Sequence, residues 1–188
     1  MKIGKTFYAK NRREWRVWLK KNHASAGEIW LLYYNKASGK QRIPYNDAVE
    51  EALCFGWIDS IVKKYDKERA AQRFSRRRPK SKWSETNQER VKRLIKQRKM
   101  TKAGLAVFDA KQGLQSHKTK GLIIPPDILR ALKKDNVVWK NFQKFPDSYK
   151  RIRVGWINNS RRRPASLRQR LRYFLKMTEQ NKRFGMVQ

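Results

Sequence analysis

The chain has a single cysteine, Cys54, so no internal disulfide can form and a reducing compartment is expected. Its two histidines, His23 and His117, lie far apart along the chain. With one thiol they offer no ligand spacing, and no metal site of the histidine or thiolate kind is expected. No stretch approaches the roughly 20 apolar residues of a membrane-spanning helix. Met1-Lys2-Ile3-Gly4-Lys5 is not followed by the apolar run of a signal peptide, so a cytoplasmic protein is expected. A glycine-rich phosphate loop, a GxSxG elbow and a dinucleotide fingerprint are all missing, and no cofactor is implied. Negative charge is scarcest of all: 15 Asp+Glu stand against 48 Lys+Arg, giving a formal charge of +33 and a pI near 10.9.

What is present is apolar enough to fold. The hydrophobic fraction is 39%, with seven Trp, seven Tyr and eight Phe among 188 residues, sufficient for one domain or two small ones. The charge balance favours a polyanionic partner: nucleic acid, an anionic membrane surface or an acidic protein. The plainer explanation is a surface solvated by lysine and arginine. Nothing in the residues specifies an oligomeric state.

Along the chain, Thr6–Ala9 reads as a first strand, and Asn11 with Glu14 as a helix start carrying Trp15, Trp18 and Leu19 at helical spacing. Ile29–Tyr34 is a continuous β-prone run placed centrally in a sheet. Asn46 reads as a helix cap, with Asp47, Glu50 and Glu51 in the first turns and Ala48, Val49, Ala52, Leu53, Gly56 and Trp57 on the buried face. Gly56 is expected to end that helix. Ile58–Val62 and Ala70–Phe74 read as two further strands, joined through Lys63–Arg69, which lacks a strong two-residue turn signal. Ser84 and Thr101 cap two more helices, the first with a stripe of Val91, Leu94 and Ile95, the second with Leu105, Val107 and Phe108. Residues 109–124 have no periodicity and read as a linker. Beyond it, Asp127, Asp135, Pro146-Asp147 and Pro164 each open a helical pattern. The expected fold is α+β: an α+β domain at 1–108 with a small mixed or antiparallel sheet and packed helices, then an all-helical module at 125–188.

Two blocks, Phe55-Gly56-Trp57-Ile58-Asp59-Ser60 and Arg73-Phe74-Ser75-Arg76-Arg77-Arg78-Pro79-Lys80-Ser81-Lys82-Trp83-Ser84, resemble signatures of the YdeI/OmpD-associated, or bacteriocin-protection, family. Ile124-Pro125-Pro126-Asp127, Phe145-Pro146-Asp147-Ser148-Tyr149 and Gly155-Trp156-Ile157 resemble its helical second part. The resemblance implies a role in bacteriocin or stress tolerance and an association with an outer-membrane porin; it carries no reaction, cofactor or catalytic residue. Arg76 departs from the pattern, since members commonly have proline there.

Two basic clusters are the candidate anion-binding sites. In the first, Arg73, Arg76, Arg77, Arg78, Lys80 and Lys82 offer forks and point charges for phosphate, while Phe74 and Trp83 are candidates to stack on bases. The structural alternative pairs the arginines with Asp59, Asp66 or Glu68 and buries Trp83. In the second, Arg161, Arg162 and Arg163 precede Pro164 and continue into Arg168, Arg170 and Arg172, with no acid close by in sequence. Trp57, Asp59 and Phe74, with Cys54 nearby, are candidate pocket residues, and an aromatic and acidic pocket between Trp57–Asp59 and Trp83 is the basis of an alternative reading as a small-molecule binder or enzyme. Cys54 has no evident base, and Asp59 is as readily the partner of an arginine. The first reading is a non-enzymatic binder of nucleic acid or of an acidic protein partner.

Overall fold

The computed structural model describes residues 2–78, 81–108 and 121–185. The fold is α+β and the described residues divide into two compact units, one drawn from the stretch up to Trp83 and from 90–108, the other from 84–89 and 121–185.

The first unit is built on a four-stranded sheet in the order β1-β2-β4-β3. Strand β1 (Thr6–Tyr8) runs parallel to β2 (Glu28–Tyr34), and helix α1 (Arg12–Asn22) makes the crossover that parallel neighbours require. Asn11 caps α1 by accepting from the Glu14 N–H at 3.0 Å, and Glu14 accepts from the Lys10 N–H at 2.9 Å. Strands β3 (Trp57–Lys64) and β4 (Arg69–Arg76) form an antiparallel hairpin, with β4 inserted beside β2. The hairpin turn has its own device, which the dipeptide rules miss: the Asp66 carboxylate accepts from the N–H groups of Glu68 and Arg69 at 2.9 and 2.7 Å.

Helix α2 (Tyr45–Cys54) starts one residue before the expected cap. Pro44 occupies the N-cap position, and Asn46 lies inside the helix, where it accepts from Arg90 at 3.0 Å. Gly56 follows at φ 75°, a left-handed position that releases the chain directly into β3. Trp57 is therefore the first residue of β3 and not the last of the helix, although it is fully buried as expected.

Helix α3 (Glu85–Lys96) buries Val91 and Leu94, whereas Ile95 is 42% exposed and falls off the expected stripe. Helix α4 (Lys102–Val107) is capped by Thr101, whose hydroxyl also donates to the Cys54 carbonyl at 2.7 Å. Gly104 touches that carbonyl so closely that a Cβ would sit 2.2 Å from its oxygen. The core joins Trp15 and Leu19 of α1, Leu31 of β2, Val49 and Leu53 of α2, Trp57, Phe74 and Trp83. Each such large apolar side chain contributes about 1.5–3 kcal/mol by burial.

The second unit contains α5 (Pro126–Lys133), α6 (Asn136–Lys144), α7 (Asp147–Asn158) and α8 (Pro164–Glu179). Asp135 caps α6 through the N–H groups of Val137 and Val138. Asp127 is in the first turn of α5 rather than at its cap. Ile128, Leu132, Phe142, Tyr149, Ile157 and Phe174 form a separate core. Of the segment read as a linker, 109–120 lie outside the described residues; Leu122 and Ile124 pack on this second core.

Candidate functional site

The first basic cluster runs from the end of β4 toward α3, and its side chains meet different surroundings. Arg73 donates to Glu28 on the neighbouring β2 at 2.8 and 2.5 Å. Arg76 is exposed and donates to the Ala26 carbonyl at 3.0 Å. Arg77 turns inward and is 8% exposed. Its guanidinium carbon lies 3.7 Å from the centroid of the Trp83 ring, and Nη2 donates to the Lys82 carbonyl at 2.6 Å. Its Nε is buried without a hydrogen-bond partner, and burial lowers its pKa from the usual arginine value. Arg78 and Lys82 are exposed; Lys80 lies outside the described residues.

This placement corrects one expectation. Trp83 is 9% exposed, covered by Arg77 on one face and set edge-on against Phe108, with centroids 5.1 Å apart. Phe74 is fully buried beside Trp15. The two aromatics read as stacking platforms are core side chains, because their apolar area is worth more inside than out. The acids named as alternative partners of this cluster are used elsewhere. Asp66 pairs with Arg69 at 2.5 Å, Glu68 lies 3.9 Å from Lys40, and Asp59 serves the tyrosine cluster described below.

The second basic cluster lies between α7 and α8. Arg161 makes a two-point contact with Asp127, at 2.8 and 3.3 Å, and this hydrogen bonding lowers the Asp127 pKa. The partner is 34 positions away, so an acid not near in sequence becomes near in space. Arg162, Arg163 and Arg168 are exposed. Arg163 occupies the N-cap position of α8 without a side-chain cap bond, and no acid stands in that helix's first turn. Arg170 instead folds back, donating to the Trp156 carbonyl at 2.6 Å above the Trp156 ring.

The pocket residues have neighbours of their own. Trp57 is fully buried and donates to the His23 carbonyl at 3.2 Å. Asp59 accepts from the Tyr45 hydroxyl at 2.6 Å and from Gln72 Nε2 at 3.3 Å. The Tyr33 hydroxyl is buried without a hydrogen-bond partner. Burial raises the pKa of both phenols, and the Asp59 charge adds to it. Burial pushes the Cys54 thiol up to about 11, with Glu51 adding to the shift. That environment opposes the thiolate a nucleophile needs.

Sequence reasoning missed the main charge network of the first unit. Arg12 reaches Glu51, Glu50 and Asp47 at 2.5, 2.8 and 3.3 Å; Arg16 reaches Glu51 at 2.5 Å; Arg93 donates to Glu50. Glu51 is 2% exposed and Glu50 8%. Burial alone would depress the Arg12 pKa, but hydrogen bonds to the two glutamates outweigh it and raise the value. Both glutamates are thus occupied by cations, Glu51 by Arg12 and Arg16 of α1 and Glu50 by Arg12 of α1 and Arg93 of α3. The available signal was the i, i+4 spacing of Arg12 and Arg16 opposite an acidic helix start.

Residues 7–107, more than half of the chain, match the family described as Domain of unknown function (DUF8412), and the chain belongs to that family. Residues 121–181 match the family described as Bacteriocin-protection, YdeI or OmpD-Associated. The resemblance read from the short blocks is thus supported, on the helical unit. The blocks at 55–60 and 73–84 fall inside the first match, and those from Ile124 to Ile157 inside the second. No curated protein and no solved structure matches the chain.

Proposed function

For a chain with this two-family composition, we propose a binder of nucleic acid through its phosphates, acting without base-specific contacts. The carrying observation is the charge of +33, together with where the few acids go. Asp47, Glu50, Glu51, Glu28, Asp66 and Asp127 are already engaged with arginines of their own unit. They neutralise arginines that fold inward or lie flat. Arg78, Lys82, Arg162, Arg163 and Arg168 remain exposed. Such cations repel one another unless an external polyanion screens them, and released counterions then drive association. The matched family's description names bacteriocin protection; on this reading, any such role passes through binding an anionic partner.

The test is titration of the full chain into labelled DNA and RNA at ~50 and ~200 mM salt. With six or more phosphates contacted, affinity falls by about three orders of magnitude or more between the two conditions. Absence of binding at the lower salt overturns the reading. A protein partner captured equally well after nuclease treatment replaces it with an adaptor role.

A further inference from the structure

The exposed ridge of α1 is used neither by the core nor by the two arginine clusters. The helix's buried side carries Trp15 and Leu19, while Arg13, Val17 and Lys20 form that ridge at helical spacing, Val17 being 61% exposed. A groove lies on each side of that ridge, and both are lined by Arg13 and Val17.

The first groove, about 600 Å³, is lined by Arg12, Arg16, Arg98 and Lys99 besides the ridge. Its one acid, Glu51, is held by Arg12 and Arg16 at 2.5 Å each. Arg13, Lys20, Arg98 and Lys99 make no ion pair among the described residues. The second groove, about 630 Å³, is lined by Phe7, Tyr8 and Trp18 with Lys21 at its rim. Its one acid, Glu14, is occupied by the helix cap, accepting from the Lys10 N–H. Trp18 and Phe7 rest on the core with part of each ring still accessible; Trp18 is stacked on Trp15 at 5.2 Å and 14° and meets Trp57 edge-on at 5.8 Å, which fixes the ring.

Arg98 adds an independent observation. It sits at φ 54°, in the left-handed turn after α3, with its N–H on the Ile95 carbonyl and the Lys99 N–H on the Leu94 carbonyl. That is the helix-ending arrangement in which glycine is favoured. An arginine there bears a backbone cost and makes no ion pair among the described residues to offset it.

We propose that this face of α1 is a binding site for single-stranded nucleic acid, with phosphates in the basic groove and unpaired bases against the aromatic groove. The proposal rests on the phosphate-binding reading above and gives it a location and a strand preference. A duplex stacks its bases on one another and hides their faces, so the aromatic groove distinguishes single strands. An acidic protein segment would satisfy the cations but leaves the adjoining aromatic groove unexplained.

The experiment uses the full chain, a fluorescein-labelled ~20-nucleotide single strand and the matching duplex, read by anisotropy over a salt series. Arg13→Gln/Lys20→Gln/Arg98→Gly is expected to weaken single-strand binding at least tenfold. It should also flatten the log–log salt slope by about 2, at roughly 0.7 for each phosphate no longer neutralised. Arg98→Gly alone is expected to leave the unfolding midpoint unchanged or higher while weakening binding, which a purely structural arginine would not do. Trp18→Leu is expected to weaken single-strand binding about tenfold with little effect on the duplex, and Trp18→Phe to retain most of it. If the wild type binds but the triple variant keeps its affinity and slope, this location is wrong and the phosphate-binding reading survives. If Trp18→Leu folds and changes neither probe, or if the duplex binds as tightly as the single strand, the strand preference is wrong. Failure of the wild type to bind either probe at ~50 mM salt overturns both.

Discussion

The two arginine clusters look alike as strings of letters and come to differ in almost every physical respect. In the first, Arg73 lies on a carboxylate, Arg77 lies on Trp83 under loop carbonyls, and the flanking aromatics are in the core. In the second, Arg161 shares an exposed pair with Asp127 while Arg162, Arg163 and Arg168 face outward. The difference arises from what lies beside each run. The first follows a central strand, whose neighbours supply buried rings and unbonded carbonyls. The second follows a helix end and precedes Pro164, where only the helix's own N-terminal N–H groups are left over. A basic run therefore reports charge density and not availability; availability depends on the neighbouring element.

The largest effect that tests this contrast lies in the buried network. Glu51→Ala removes the carboxylate that Arg16 pairs with and one of the three that Arg12 reaches. Urea unfolding is expected to show a loss of about 2–3 kcal/mol, below a fully buried pair because Arg12 keeps Glu50 and Asp47 and both arginines retain some exposure. Asp127→Ala in the second cluster is expected to leave the urea midpoint unchanged. Equal losses in the two variants would erase the contrast.

Next in size is Arg77→Ala, which uncovers Trp83 and leaves the Ser81 and Lys82 carbonyls short of a donor. A loss of about 1–2 kcal/mol is expected, against none for Arg162→Ala. The roles should reverse in binding: Arg162→Gln/Arg163→Gln/Arg168→Gln is expected to weaken duplex affinity and flatten its salt slope by up to about 3 without moving the unfolding midpoint. Arg77→Ala, if it folds, is expected to keep the wild-type salt slope.

The remaining effect is alkaline. Cys54 has a folded pKa raised from 9.0 to about 11, so its contribution to stability is complete below the unfolded value and is lost as pH rises through about 11. Tyr33 and Tyr45, raised by burial, act in the same direction at higher pH. Unfolding midpoints followed from pH ~8 to ~11 should fall less steeply in Cys54→Ala than in the wild type. Parallel curves would show that the thiol is not held neutral by the fold.

Much of the fold was legible. Asn11, Thr101 and Asp135 cap where their side chains predict, since a cap is satisfied within three residues. The apolar run Ile29–Tyr34 became a central strand, and the pattern change near residue 125 marked the helical unit. Less legible were the features set by distant partners. The Asp66 turn uses a side chain in place of a two-residue loop, and Trp57 belongs to a strand because Gly56 ends the helix first. Ile95 looked apolar and in phase, yet it lies 42% exposed, outside the core.

The sequence by itself determined the α+β class, the positive charge and the likeness to the YdeI/OmpD-associated family, because each follows from composition, local periodicity or short blocks of adjacent residues. Only the tertiary structure decided which cations are internal and which are offered to solvent. That outcome depends on contacts such as Arg12–Glu51, Arg77–Trp83 and Arg161–Asp127, and on the turn that sets Arg98 beside α1. Electrostatic energy falls off with distance in space, and distance in space is what a linear pattern of charges does not contain.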